Sequence, residues 1–123
     1  MTKIINKFDL GDRTTKFSKC IVDLCRSIEQ NIISKPLISQ LIKAGTSVGA
    51  NYSEADEACS KKDFVNKMYI AKKEAKETRY WLEVILHTFP QYKIQIEYLL
   101  KESHELILIF SAIINKTRNP FGH

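Results

Sequence analysis

The chain has 123 residues, with 19 Lys or Arg against 14 Asp or Glu, which gives a formal net charge of +5 at pH 7. This length suits one domain with a single core, and the modest positive charge favours anionic partners. The first residues, MTKIINKFDL, lack the apolar stretch of a signal peptide, and no apolar run reaches the ~20 residues of a membrane span. Cys20, Cys25 and Cys59 have neither metal-binding nor disulfide spacing, so we expect a cytoplasmic protein whose cysteines are small buried side chains.

Two helices are predicted in the first half of the chain, at about 13–30 and 35–59, because apolar residues recur there every three or four positions. At the start of the second helix, Ser34 is a candidate cap and Pro36 is tolerated in the first turn. The predicted inward positions are Phe17, Ile21, Leu24 and Ile28 in the first helix, and Leu37, Leu41, Ala44, Val48, Asn51 and Ala55 in the second.

Two further helices are predicted at about 61–88 and 91–116, separated by a turn at Pro90. Ser60 to Asp63 resembles a capping box with Asp in place of Glu, which indicates a helix start. Steps of four and three residues separate the inward positions, as in helices that pack knobs into holes. These positions are Phe64, Met68, Ala71, Ala75, Thr78, Leu82, Ile85 and Phe89 in the third helix, and Tyr92, Ile96, Leu99, Ser103, Leu106, Phe110 and Ile113 in the fourth.

Four amphipathic helices with short connections predict an all-α fold, an antiparallel up-down-up-down four-helix bundle that forms one domain over residues 1–123. Residues 106–110 have strand-like composition, but they lie inside a long helical repeat, so a helix is favoured. This run is apolar around the whole helix. With the stripe of Leu100, Ile107 and Ile114 it indicates a subunit interface, and the alternative is an unusually broad internal core.

Gly45 and Gly49 lie four residues apart on one face of the second helix, close to Ala50 and Ser53. Each glycine costs about 1 kcal/mol of helix propensity relative to Ala, so such a pair usually marks the close approach of another helix. The alternative, a phosphate-binding loop, needs a preceding strand that the sequence does not provide.

Polar residues on the second and third helices predict a partly buried network that fixes how the two helices pack. A catalytic pocket is the less favoured alternative, because the carboxylates lack a candidate nucleophile or a metal-binding histidine. The predicted network residues are Ser47, Asn51, Glu54, Glu74 and Glu77, with Lys73 and Thr78 close by.

The histidine spacing argues against a metal centre. A di-iron bundle needs Glu-x-x-His repeats, whereas the residues three positions before His87, His104 and His123 are Val, Lys and Pro. Zinc-binding spacings of His and Cys are also missing from the sequence. We therefore expect no metal, no cofactor and no enzymatic activity.

Basic residues are concentrated on the third helix, where Lys61 to Arg79 contains seven Lys or Arg against three Asp or Glu. They could form a ridge that follows nucleic-acid phosphates, or they could be an ordinary solvated helix face. Tyr69, Tyr80 and Trp81 could stack on unpaired bases, although aromatic residues at helical spacing more often anchor a core or an interface. The predicted nucleic-acid-binding residues are Lys62, Lys72, Lys73, Lys76 and Arg79.

Three strings carry a resemblance to a known family: LGDRT at 10–14, QLIKAGTSVGANYSEA at 40–55 and SKKDFVNKMYIAKKEAKETRYWL at 60–82. In order and separation they closely resemble the bacterial four-helix-bundle proteins encoded in intervening sequences of large-subunit ribosomal RNA genes. The resemblance implies a homopentameric ring with no known enzymatic activity. It also implies kinship with the accessory variability proteins of diversity-generating retroelements, which are basic pentamers that bind nucleic acid and a reverse transcriptase.

Together these observations predict a cytoplasmic, non-enzymatic, oligomeric bundle that binds nucleic acid, in particular RNA, non-specifically through the basic face of its third helix. The expected partners are further copies of the chain, RNA or DNA and a nucleic-acid enzyme, with no membrane. The alternative is a structural or adaptor ring that recruits a protein partner and binds no nucleic acid.

Overall fold

The computed structural model describes residues 10–119, which form four α-helices in an antiparallel bundle. The helices are α1 (Leu10–Ser27), α2 (Ser34–Asp56), α3 (Lys61–Thr88) and α4 (Lys93–Arg118), and a short 3-10 turn at Pro90–Tyr92 precedes α4. No strand occurs within this range, and the strand-like run at 106–110 lies inside α4. None of these helices combines the length and apolar character needed to cross a membrane.

The connection between α1 and α2 differs from the prediction at both of its ends. Helix α1 stops at Ser27 rather than near residue 30. The side-chain oxygen of Asn31 accepts hydrogen bonds from the backbone N–H groups of Ile33 at 2.9 Å and Ser34 at 2.8 Å. Asn31 therefore closes the turn into α2, and Ser34 is not the cap. Ser34 is buried instead, and its hydroxyl donates to the carbonyl oxygen of Glu29 at 2.6 Å.

The start of α3 is capped as the sequence predicts. The hydroxyl of Ser60 accepts a hydrogen bond from the backbone N–H of Asp63 at 3.0 Å, which satisfies one free donor of the first turn. At the same end of the bundle, α4 continues to Arg118, slightly beyond its predicted limit. The last turns of α4 therefore lie beside the first turns of α3.

The core consists of the inward positions predicted from helical spacing. Most of them are buried, including Phe17, Ile21, Leu41, Leu82 and Phe110. Those at the helix ends, such as Phe64 and Phe89, are half-buried and pack against the core. The predicted heptad seams are confirmed.

Helices α1 and α4 pack against each other less extensively than the other neighbouring pairs. Two polar contacts join them. Arg13 binds Glu102 through Nε at 2.6 Å and Nη2 at 2.9 Å, and the hydroxyl of Tyr92 donates to the carbonyl oxygen of Ser27 at 2.7 Å. Between these contacts lies an open groove of about 470 Å³, which we call the α1–α4 groove. It is lined by Cys20, Asp23, Leu24, Ser27, Ile94, Gln95, Tyr98 and Leu99.

The predicted stripe for a subunit interface on α4 is wrong. Ile107 is 8% exposed and Ile114 is 2% exposed, and both belong to the core of the single chain, while Leu100 is half-buried. The broad internal core is correct, because α4 contacts both α3 and α1 and so buries a wide arc of its surface. The exposed apolar residues of α4 are instead Ile94, Tyr98 and Leu108.

Gly45 and Gly49 lie where α1 approaches α2. A Cβ atom on Gly45 would stand 2.8 Å from Cγ2 of Ile21, and one on Gly49 would stand 3.3 Å from Cβ of Thr14. The hydroxyl of Ser18 also donates to the carbonyl oxygen of Gly45 at 3.3 Å. The LGDRT and GTSVGAN strings therefore meet in one close helix contact.

The three cysteines differ in their surroundings. Cys25 is buried, and burial raises the pKa of its thiol to about 12. Cys20 is half-buried beside the α1–α4 groove, and Cys59 is exposed. The prediction of buried cysteines is therefore wrong for Cys59, which lies in the short connection between α2 and α3, where few side chains can cover it.

Candidate nucleic-acid interface

One face of α3 presents three basic and two aromatic side chains to solvent. Lys62, Tyr69, Lys73, Lys76 and Tyr80 follow one another in steps of seven, four, three and four residues, which places them along one side of the helix. All five are exposed. We call these five residues the basic row. The next residue along this side of the helix is the acidic Glu83.

The predicted ridge residues divide into two groups. Lys62, Lys73 and Lys76 belong to the basic row, whereas Lys72 and Arg79 are half-buried along its flank. The Nε atom of Arg79 is buried without a hydrogen-bond partner in the described part of the chain. The accessible basic surface is therefore narrower than the five predicted residues suggest.

Within residues 10–119 the lysines of this surface form no ion pair within 4.0 Å. Among residues 10–119, the ion pairs are Arg13 with Glu102 and Glu105, Lys67 with Glu54, and Lys93 with Glu97. Lys62, Lys72, Lys73 and Lys76 take part in none of these pairs. Their charges remain available for an external anion.

The three aromatic residues considered for base stacking occupy different environments. Tyr80 is 58% exposed and Tyr69 is 42% exposed. Trp81 is half-buried against the core, and the Tyr80 ring meets it edge-on with centroids 4.9 Å apart. The two tyrosines are thus accessible for stacking, and Trp81 is a packing residue.

Arg118, at the end of α4, extends the basic surface and was not among the predicted residues. Its Nη1 donates to the hydroxyl of Tyr69 at 2.6 Å. The guanidinium carbon lies 6.0 Å from the Tyr69 ring centroid. Because the hydroxyl itself projects outward from the ring, this distance places Arg118 beyond the hydroxyl and not over the ring face.

Arg118 could have been found from the sequence by following the antiparallel topology. In such a bundle the last turn of the fourth helix adjoins the first turn of the third. The prediction ended the fourth helix near residue 116 and treated the following residues as a tail. The position of Arg118 beside Tyr69 was therefore missed.

The structure also places a cleft of about 450 Å³ at this end of the bundle. We call it the end cleft, and it is lined by Lys61, Lys62, Val65, Asn66 and Arg118. Three of the five lining residues are basic and none is acidic. The end cleft adjoins the basic row at Lys62.

The predicted polar residues of α2 and α3 mostly bond within their own helices. The hydroxyl of Ser47 donates to the carbonyl oxygen of Lys43 at 2.7 Å, and the side-chain amide of Asn51 donates to the carbonyl oxygen of Ser47 at 2.8 Å. Glu54 pairs with Lys67 of α3 at 2.7 Å, and this pair raises the pKa of Lys67.

Glu77 is exposed one turn from Lys73 and so flanks the basic row, whereas Glu74 lies farther round the helix. Glu74 is half-buried, and its burial, followed by the nearby charge of Glu77, raises the pKa of the Glu74 carboxyl. Lys73 and Lys43 oppose this effect. The five predicted network residues therefore form separate local contacts in the described structure.

No group of three or more His, Cys, Asp or Glu residues that could hold a metal ion occurs within residues 10–119. His87 and His104 are exposed on α3 and α4. His123 lies outside the described residues. The basic row and the end cleft present cations, phenols and an amide, with the exposed carboxylates of Glu77 and Glu83 beside the row.

Comparisons with known proteins agree with the fold. A sequence profile described as 23S rRNA-intervening sequence protein matches residues 6–112. A crystal structure from Bacteroides thetaiotaomicron, described as a protein of unknown function from the S23 ribosomal protein family, is similar at 35% sequence identity with a TM-score of 0.76. The similarity covers 85% of this chain and 96% of that one. Comparison with curated protein sequences gives no significant match. The match over most of its length shows that the chain belongs to the 23S rRNA-intervening sequence protein family.

Proposed function

We propose that this protein is a non-enzymatic homo-oligomer that binds RNA non-specifically through the basic row of α3 and the flanking Lys72 and Arg79. The observation that carries the proposal is the row of exposed lysines and tyrosines along one helix face. Lysines attract the phosphate backbone by releasing its counterions, and tyrosine rings can stack on unpaired bases. Neither contact distinguishes one base from another, so the binding is independent of sequence.

Oligomerisation strengthens this function. A ring repeats the basic row and the formal charge of +5 in every copy, so several weak contacts act on one polyanion. The pentamer is what the family resemblance implies. The exposed apolar side chains Ile94, Tyr98 and Leu108 on α4 support contact between copies, because such residues usually gain from being covered.

The experiment is native mass spectrometry with and without total RNA, because it reports stoichiometry and RNA retention together. The variant Lys72→Glu, Lys73→Glu, Lys76→Glu should keep its oligomeric mass and lose RNA retention. The matched control is Lys16→Glu, Lys19→Glu, Lys35→Glu, which makes the same charge change at exposed positions on α1 and α2. Equal retention by the two triple variants would contradict binding through α3.

The second candidate is an adaptor ring that recruits a protein and binds no nucleic acid. The α1–α4 groove favours it, because Ile94 is 83% exposed beside this open apolar surface. A salt-dependent shift on addition of RNA separates the two candidates. RNA binding by the adaptor ring would be absent at any ionic strength, whereas binding through lysines weakens steeply as salt rises.

A further inference from the structure

The end cleft brings together cations from two helices that are far apart in the sequence. Lys61 and Lys62 belong to the first turn of α3, and Arg118 ends α4. Val65 supplies an apolar wall and Asn66 supplies an amide. The cleft is shallow and open to solvent, and its donors can contact one side of an anion.

Arg118 is oriented for this role by a neutral partner. Its Nη1 donates to the Tyr69 hydroxyl at 2.6 Å, which holds the guanidinium at the cleft without neutralising its charge. A guanidinium has five N–H donors in a fixed fork, so most of them remain after this bond. Such a fork matches the oxygens of a phosphate group.

The three cations of the end cleft have no carboxylate within 4.0 Å among the described residues, since the ion pairs of residues 10–119 involve other side chains. Like charges gathered around one cleft repel each other, and a bound anion relieves this repulsion. Arg13 and Lys67, by contrast, each have a carboxylate partner. The end cleft is therefore a place where an anion is favoured.

Tyr69 adds a second element of recognition beside the cleft. Tyr69 is 42% exposed, and Arg118 contacts its hydroxyl rather than its ring face. Tyr69 lies one turn from Val65 and Asn66 on the same side of α3. A base can stack on such a ring only when it is not already stacked and paired within a duplex.

We propose that the end cleft is a subsite for a phosphate group of an unpaired nucleic-acid strand, with Tyr69 as the stacking surface for the adjoining base. This inference rests on the proposed RNA-binding function and names its preferred substrate, which is single-stranded. Lys61, Lys62 and Arg118 hold the phosphate oxygens, and Asn66 donates an additional hydrogen bond. The basic row of α3 then continues the path of the strand away from the cleft.

The test is fluorescence anisotropy of labelled oligouridylate and of a fully paired RNA of the same length, with the full-length protein. Arg118→Gln should weaken oligouridylate binding about tenfold, because it removes several charge-assisted hydrogen bonds. Tyr69→Leu should weaken oligouridylate binding by about tenfold and change duplex binding by less than about twofold. Both residues are exposed, so both variants should fold.

The control Lys35→Gln removes one positive charge at the opposite end of the bundle and should change affinity by less than about twofold. An equal loss in Lys35→Gln and Arg118→Gln would overturn the subsite in favour of general attraction by charge. An equal loss of single-stranded and duplex binding in Tyr69→Leu would overturn the preference for unpaired strands.

Failure of the subsite and failure of the proposed function give different results. If the triple lysine variant of α3 loses RNA while Arg118→Gln binds like the wild type, RNA binding stands and the end cleft has no part in it. If the wild-type protein binds neither RNA at low salt, both proposals are overturned. Arg118→Lys, which keeps the charge without the fork, should recover only part of the affinity lost in Arg118→Gln.

Discussion

Gly45 determines how closely α1 can approach α2. The added methyl group of Gly45→Ala would stand 2.8 and 2.9 Å from the two γ carbons of Ile21, a fully buried β-branched side chain that has little freedom to move. Overpacking of this kind costs about 1–3 kcal/mol, against a gain in helix propensity of about 1 kcal/mol. We expect a net destabilisation of up to about 2 kcal/mol in urea-induced unfolding.

The control for Gly45 is Gly49→Ala, whose added Cβ would stand 3.3 Å from Thr14, so its cost should be smaller. In an Ile21→Ala background the penalty of Gly45→Ala should shrink, since the two γ carbons are gone. A stabilising Gly45→Ala would show that helix propensity outweighs the contact. Spacing alone indicated a close approach at these glycines, but it could not name α1 as the approaching helix, because it reports only on α2.

Glu74 should make the protein less stable as the pH rises above 4.5, whereas a carboxylate in an ion pair usually has the opposite effect. Its carboxyl pKa is raised by burial and by Glu77, so between the ordinary value of 4.5 and the raised value the folded state binds more protons than the unfolded state. The stabilisation that comes from the protonated Glu74 carboxyl is therefore fully present below pH 4.5 and is lost as the pH rises through the raised pKa. The Glu74→Gln variant should melt at a higher temperature than the wild type at pH 7.

The difference between Glu74→Gln and the wild type should diminish as the pH approaches 4, where the wild-type carboxyl is also protonated. Thermal melts followed by circular dichroism between pH 4 and pH 8 measure it. Glu57→Gln, at an exposed position after α2, is the matched control and should show little change. A lower melting temperature for Glu74→Gln at pH 7 would mean that attraction to Lys43 and Lys73 outweighs burial.

At the scale of the helices, the contact between α1 and α4 depends strongly on one ion pair. The Glu102 side chain is only 16% exposed, and its two oxygens accept hydrogen bonds from Arg13, which raise the pKa of the guanidinium. Arg13→Ala leaves this carboxylate without its partner and should destabilise the protein by about 1–3 kcal/mol. Lys67→Ala, which breaks the more exposed pair with Glu54, should destabilise the protein less than Arg13→Ala does.

Urea denaturation measures both stabilities, and hydrogen exchange should show that Arg13→Ala loses protection first in α1. Similar costs for the two variants would indicate that burial of Glu102 adds nothing to its pair. Loss of protection spread evenly over the bundle would contradict a local role of this contact between α1 and α4.

The position of each helix can be predicted from the local sequence pattern, whereas the helices that pack against it cannot. Steps of three and four residues identified Met68, Leu82 and Leu106 as inward positions, because such steps keep side chains on one face. The wide buried face of α4 was only the less favoured alternative to a subunit interface, since its width depends on two partner helices at once. The turn at Asn31 escaped the prediction, because serine and asparagine are both good candidates for closing a helix start.

For the molecule as a whole, the basic character of α3 could be predicted from the sequence, whereas the shape of the end cleft could not. The concentration of lysines on α3 is a matter of composition, and three of the five predicted residues are exposed in the basic row. The end cleft joins residues 61 and 62 to residue 118, and only the antiparallel return of the chain brings them together. The half-burial of Lys72 and Arg79 likewise reflects packing that no single helix pattern contains.

The proposed oligomer leads to a prediction that links assembly to RNA binding. Ile94→Glu with Leu108→Glu places charges on exposed apolar positions of α4, so the single chain should still fold while contact between copies is lost. The resulting monomer keeps its basic row, but it can no longer engage one RNA through several copies. Its affinity for RNA should therefore fall by about a hundredfold or more.

Size-exclusion chromatography with light scattering gives the mass, and anisotropy gives the affinity. The control Ile32→Glu with Ile33→Glu adds the same two charges in the exposed connection between α1 and α2, and should preserve both mass and binding. A monomeric variant that binds RNA as tightly as the wild type would refute the link between assembly and affinity. An unchanged mass would show that copies of the chain meet elsewhere, because two buried carboxylates without partners could not remain in an apolar contact.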